Sequence, residues 1–323
     1  MHKNSTIFIF TRDRPEILRK ALTSIQENEL PKYVIDDSIN SKNQEKVLDL
    51  CNGRRNCTYL GKKQFNQFIL QNNIVFPKYS FLLREPGNPK WNLGFVRNFA
   101  LLYSKTIRAS RVLFMDDDIE VPNLNLIDEL FNALNDYEFV GANIMGLIDD
   151  SVIGHIATEL GVINERMLSG GFVLFTSEMV QNYFLNNYNE DWIWLFLQLK
   201  GKKYLQTGEV FQELSNPFSN YQNKLIFQEY GEIALDGILD LYKEGSFDSL
   251  TQFMFWERML KEREEYLDIL NQKAKGKKKL IEIIEWIKKD SMNFKAGIFT
   301  ELFEKYFSDR ILFQTLFKSL PGA

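Results

Sequence analysis

The sequence predicts an α/β protein built on a parallel sheet and followed by a helical region. Two observations carry this reading. From 5 to 140, short β-branched and aromatic runs alternate with stretches whose apolar residues recur at helical spacing. Beyond about 220 the character changes: residues 223–319 are rich in Leu, Ile, Phe, Glu and Lys with few prolines, and predict several helices. The boundary falls near 220, dividing the chain into 1–220 and 221–323.

In chain order, Ile7 to Phe10 predicts a first strand that stops at Thr11-Arg12-Asp13-Arg14-Pro15. Pro15 suits the first turn of a helix, and Ile17, Leu18, Ala21, Leu22 and Ile25 continue it. Tyr33-Val34-Ile35 predicts a second strand, ending at Asp36-Asp37-Ser38, and Cys57 to Leu60 a third. The stretch 65–91, with Pro77, Pro86, Gly87 and Pro89, reads as an insertion or long loop. Phe95 to Ser104 predicts a helix opened by Asn92-Leu93-Gly94, and Arg111 to Met115 the next strand. From 139 to 213 strands and loops predominate: Phe139-Val140, Phe172 to Phe175 after Ser169-Gly170-Gly171, and Tyr204 to Phe211, with a helix starting near Asp191.

Composition excludes more than it assigns. The chain has 323 residues, 45% hydrophobic and 25% charged, with a net charge of −4, which gives no reason to expect a nucleic-acid partner. Two cysteines, Cys51 and Cys57, make a disulfide scaffold the poorer reading and a reducing, cytoplasmic compartment the simpler one. The apolar stretch at the start is too short for a signal peptide, and no window approaches the roughly 20 apolar residues of a membrane span. With only His2 and His155, histidine triads and three-histidine zinc sites are excluded by counting.

The sharpest local feature is Asp116-Asp117-Asp118, directly after the apolar run Val112 to Met115. Like charges about 4 Å apart repel by roughly 4 kcal/mol at an effective dielectric of about 20, so a partner base, a cation or water must offset them. In open parallel sheets ligands bind at the carboxyl ends of strands. Asp13, Asp36, Asp37 and the triplet all fall at such ends.

Five segments in order, TRDRP at 11–15, VIDDS at 34–38, NLGFVRN at 92–98, MDDDI at 115–119 and NEDW at 189–192, resemble the family 2-like glycosyltransferases of the GT-A fold. The resemblance covers about the first 215 residues. It implies a Rossmann-like, mixed but mainly parallel sheet and transfer of a sugar from a nucleotide-diphosphate donor. It further implies that Thr11, Arg12 and Asp13 contact the base and ribose, with Asp36 and Asp37 accepting from a base N–H. Arg97 and Asn98 would bind the nucleotide. Asp116 to Asp118 match the DxD motif: Asp116 on the ribose or metal, Asp117 turned to the other face or toward the nucleotide, and Asp118 on the cation, Mn²⁺ or Mg²⁺. Asp191, with Glu190 beside it, would be the general base of an inverting enzyme, and Gly170 and Gly171 would let backbone approach the sugar.

The chain departs from the family pattern in lacking a histidine after the base segment, where Glu213 or Gln212 would substitute as metal ligand or the diphosphate and waters would complete the shell. A haloacid dehalogenase-type phosphohydrolase also carries DxD after a strand, but it expects Thr or Val where Glu120 stands. An inactive nucleotide-sugar binding module would lack the base or the carboxylates kept here. The expected partners are a UDP-sugar and a glycan, lipid-linked or protein acceptor. Lys273, Lys275 and Lys277 to Lys279 precede an apolar helix, which reads as a solvated turn before a packed helix; contact with the inner face of an anionic membrane is the other reading. The Phe residues at 294–317 predict a bundle core, and the helical tail a role in shaping the acceptor site or in self-association.

Overall fold

A computed structural model describes residues 4–74, 80–82, 93–146, 151–162, 168–212, 225–291 and 293–321. The first half alternates β1 (Ser5–Thr11), α1 (Pro15–Ser24), β2 (Lys32–Asp36), α2 (Ser41–Asn52), β3 (Cys57–Leu60), α3 (Lys62–Gln71), α4 (Leu93–Thr106) and β4 (Arg111–Asp116). Then follow β5 (Ile119–Glu120), α5 (Asn125–Ala133), β6 (Phe139–Met145), α6 (Val152–Glu159), β7 (Phe172–Thr176), α7 (Glu190–Leu199) and β8 (Tyr204–Gln212). Four long helices close the chain: α8 (Leu225–Glu244), α9 (Phe253–Lys273), α10 (Lys278–Ser291) and α11 (Ala296–Ser319).

The strands form one sheet in the order β3-β2-β1-β4-β7-β6-β8-β5. Strand periodicity decides which residue joins which layer. Ile7 and Ile9 of β1, with Leu113 and Met115 of β4, pack beneath α1, α2 and α5, whereas Phe8, Phe10, Val112 and Phe114 face α4 and α7. Both faces are covered, so these strands read as continuous apolar runs. The aromatic face continues without a break into α8, α9 and α11 through Trp194, Trp256, Phe299, Phe303 and Phe313. The expected boundary near 220 lies outside the described residues, and the helices beyond it share this core.

The sheet is mixed and mainly parallel, as the resemblance implied: β1–β2, β1–β4, β2–β3 and β6–β8 pair parallel, while β7 runs antiparallel to both β4 and β6, and β5 to β8. Two expectations need correction. The start of the supposed 65–91 loop is helical, because Phe65 and Phe68 bring their rings onto Phe95 and Phe99 of α4; the prolines after it fall outside the described residues. Within 139–213, α6 is a helix that buries Val152, Ile153, Ile156 and Ala157 against Leu267, Leu270, Ile283 and Ile284. The apolar face of α10 after the lysines packs in that same cluster, and Phe299, Phe303 and Phe313 are bundle core.

Register then assembles one edge. Thr11 stands opposite Asp36, Phe10 opposite Asp116, and Met115 opposite Phe172. Because β7 is reversed, its beginning, Gly171, lies where β1, β2 and β4 end. Ile119 pairs with Gln212, which carries Gln212 to the aspartate triplet.

Candidate active site

The triplet is neutralised by two arginines, one on each side. Arg97 of α4 is buried at 1% exposure; its Nη2 donates to both oxygens of Asp116 (2.9 and 3.2 Å) and its Nη1 to Glu190 (2.7 Å). Phe10 and Phe184 lie against the guanidinium at 5.5 and 5.7 Å. Burial alone would pull the pKa of Arg97 down, but Asp116 and Glu190 raise it, so the cation is fixed. Arg14, at the start of α1, bridges the other two: it pairs with Asp117 and donates to Asp118 at 3.1 Å.

The three aspartates have three environments. Asp117 is fully buried, accepts from the Thr11 hydroxyl at 2.7 Å, and is pushed by burial up to about 7 against the pull of Arg14. It points away from the open edge. Asp116 and Asp118 remain partly accessible, with side chains 21% and 13% exposed. Asp118 also accepts from Gln212 Nε2 at 3.2 Å, and burial raises its pKa. Arg14 is a site residue that the motif reading missed although TRDRP contains it; Gln212, expected as a substitute metal ligand, is carried to the triplet by the pairing of β5 with β8.

The candidate base lies on the same edge. Asp191 Oδ2 accepts from the Gly170 amide at 2.9 Å and faces the Ser169 hydroxyl at 3.5 Å. Its Oδ1 makes no hydrogen bond among the described residues. A Cβ at Gly170 would stand 2.4 Å from that of Asp191, and one at Gly171 would stand 3.1 Å from Asp116 Oδ2. The two glycines are therefore what allows β7 to begin between these carboxylates.

Glu190 is 2% exposed and turned onto Arg97 rather than the open edge. Burial pushes it up to about 8, against Arg97. Between the ordinary carboxylate value and about 8, the folded protein holds a proton that the unfolded chain has released, so stability falls as pH rises through that window. Urea denaturation at successive pH values is expected to show a flatter profile for Glu190→Gln, the difference reaching at most about 1.4 kcal/mol per pH unit.

The remaining expected positions divide. Arg12 is half-buried and ion-paired with Asp37 at 3.6 Å, and its two terminal nitrogens make no hydrogen bond among the described residues. Asp13 adopts φ 55° and accepts from the amides of Ile39 and Asn40, tying the β1 end to the next loop. Burial acts to raise its pKa, but those amides and Asn43 lower it further. Asp36 is occupied internally, accepting from Ser38 N at 2.9 Å and the Tyr59 hydroxyl at 3.0 Å. Asn98 is clamped on backbone, donating to Phe81 O and Phe184 O and accepting from Phe184 N. Glu213 lies outside the described residues.

Asp116 and Asp118 offer oxygen donors of the kind that suit a hard divalent cation. Among the described residues no group of three or more His, Cys, Asp or Glu side chains converges on one point. A cation held here would take its further ligands from diphosphate oxygens, water or the Gln212 amide.

No family model matches the chain, and no curated protein matches it. Among solved structures it is similar to a mannosyltransferase from Pyrobaculum calidifontis in complex with GDP-Man and Mn²⁺, with a TM-score of 0.50 and 10% identity over 96% of this chain and 86% of that one. The chain has the GT-A fold. Weaker likenesses are mouse xyloside xylosyltransferase 1 (TM-score 0.32, 14% identity, 54% of this chain and 67% of that) and a 4-diphosphocytidyl-2C-methyl-D-erythritol synthase from Anaerococcus prevotii (0.35, 11%, 72% and 97%). In this GT-A chain the triplet, Arg97, Gly170 and Asp191 share one sheet edge, as their order in the sequence implied. No described helix is long and apolar enough to cross a membrane.

Proposed function

We propose that the protein is a metal-dependent glycosyltransferase that moves a sugar from a nucleotide-diphosphate donor to an acceptor hydroxyl with inversion. The observation that supports this most is the convergence of two accessible carboxylates, Asp116 and Asp118, with a half-buried third, Asp191, on one edge. Asp191 has one oxygen held by Gly170 and the other open.

The nitrogens of Arg12, which make no hydrogen bond among the described residues, offer with Asp37 the donor and acceptor groups that a base and ribose require, with Thr11 and Asp13 shaping that corner. Asp116 and Asp118 would hold the cation, which when bound supplies charge neutralisation for the departing diphosphate. Asp191 takes the acceptor hydroxyl proton as its oxygen bonds to the anomeric carbon; the carbon–phosphate-oxygen bond breaks and its electron pair leaves on the diphosphate. Glu190 and Arg97 act behind these groups, keeping Asp116 and Asp191 apart. A phosphohydrolase of the DxD type is the poorer reading, because Glu120 stands where that type expects Thr or Val and the triplet follows β4 rather than the first strand.

UDP is the nucleotide that the sequence resemblance favours, while GDP is the one carried by the Pyrobaculum enzyme. Glycan, lipid-linked and protein acceptors, a cytoplasmic location with contact at the inner membrane face, and self-association through the helices remain part of the proposal. A thermal-shift panel of UDP-, GDP- and CDP-sugars with and without Mn²⁺ tests it. A ligand at 100 times its dissociation constant adds about 2.7 kcal/mol. One nucleotide with Mn²⁺ is expected to raise the melting temperature, and Asp118→Ala to abolish that rise. No shift with any pair would remove the proposal.

A further inference from the structure

The last turn before Asp191 does not stand by itself. Asn189, the cap of α7, adopts the left-handed conformation at φ 60°. Asn tolerates that region better than most residues, but it still needs support. The support comes from α8: Asn189 Nδ2 donates to Glu232 Oε1 at 3.0 Å. One residue earlier, Gly231 sits so close that a Cβ there would meet the Tyr188 carbonyl oxygen at 2.3 Å. Helix α8 therefore lies directly on the backbone that delivers Glu190 and Asp191.

Helix α8 is in turn fixed by α9. Arg263, 6% exposed, grips Glu229 with two parallel hydrogen bonds of 2.8 and 2.7 Å, reaches Asp236 at 3.2 Å, and passes Glu232 Oε2 at 3.9 Å. Glu229, Glu232 and Asp236 fall at helical spacing on one face of α8. The fork of Arg263 fits a carboxylate with little loss of freedom, so this face is rigid.

We infer that Glu232, braced by Arg263, is a positioning residue for the candidate base: α8 and α9 hold the Asn189 turn, and the turn aims Asp191. This deepens the glycosyltransferase reading and rests on it for the role of Asp191. It gives the helical region a task within the catalytic step, separate from acceptor binding.

Three variants of the full chain test the brace: Glu232→Leu, Glu232→Gln and Asn189→Gly. Hydrogen exchange of the peptide spanning 186–195 reads the turn, and steady-state transfer with the donor found by thermal shift reads its consequence. Glu232→Leu is expected to speed exchange there and lower kcat by about 10- to 100-fold, with donor KM within about twofold of wild type. Glu232→Gln keeps an acceptor for Asn189 and is expected to restore most of kcat. Should Glu232→Leu fail to fold, Asn189→Gly keeps the left-handed backbone while removing the donor, and the same loss of kcat is expected. Wild-type exchange or wild-type kcat in the variant that removes the bond overturns the brace, as does equal loss in Glu232→Gln. Absence of turnover and of any nucleotide-sugar shift in the wild type would sink the glycosyltransferase reading instead, and the exchange arm would then decide the brace alone.

Discussion

Replacing Arg97 with methionine is expected to lower unfolding free energy by about 3–5 kcal/mol, the cost of removing one partner from a buried ion network. The guanidinium sits between Asp116 and Glu190 with 1% of its surface exposed, and no other cation is hydrogen-bonded to either carboxylate among the described residues. Glu190, already pushed up to about 8 by burial, would stay protonated after the change and lose the one side-chain hydrogen bond it makes among the described residues. Asp116 would face Asp191 without a cation between them. Methionine conserves the stem that packs on Phe10 and Phe184, so the loss reads charge more than volume. Urea unfolding measures it; a loss below about 1 kcal/mol would mean that Arg97 is not the keystone of this edge. Pairing the change with Glu190→Gln should give less than the sum of the two single effects, since both act through one contact.

The largest expected effect on activity belongs to Asp191. Asp191→Asn keeps size and an oxygen for the Gly170 amide but removes the proton acceptor. Loss of a positioned base costs about 10²- to 10⁴-fold in rate. Transfer should fall by that factor while the melting shift with nucleotide and Mn²⁺ stays as in wild type, because Asp116 and Asp118 are untouched. If Asp191→Asn retained full transfer, the base would have to be sought elsewhere on the edge. If it lost the nucleotide-dependent shift, Asp191 would belong to donor binding.

Much of this edge was legible before any coordinates. Strand ends can be read because a β-branched run stops abruptly at acidic or glycine-rich punctuation, and parallel strands deliver their ends to one side. That is why Thr11, Asp36 and Asp116 could be gathered in advance, whereas Gly171 was placed by the family resemblance. Direction was less legible: nothing in FVLFT states that β7 runs against β4. Helix α6 was hidden because Val152, Ile153 and Ile156 favour extended chain, and packing on α9 and α10 overrides them. The roles of neighbouring residues were hidden too. Arg14 and Arg12 stand in one pentapeptide, yet one clamps the triplet and the other lies beside Asp37. The bond from Asn189 to Glu232 joins residues 43 apart and leaves no local trace.

The reversal of β7 also bears on how such a protein can change over generations. The chain leaves the sheet after Met145 and returns at Phe172 on the same edge, the one that carries Asp116. Of the residues described in this excursion, 151–162 and 168–171 contribute no strand, so the strand order does not depend on them. Doubling such an excursion costs only about 0.6 kcal/mol in closure entropy. Insertions on either side of α6 can therefore lengthen this segment over generations while every strand keeps its partner, provided that α6 keeps its packing and Ser169 to Gly171 keep their hold on Asp191. Novelty enters at one door, and the frame does not need to be rebuilt to admit it.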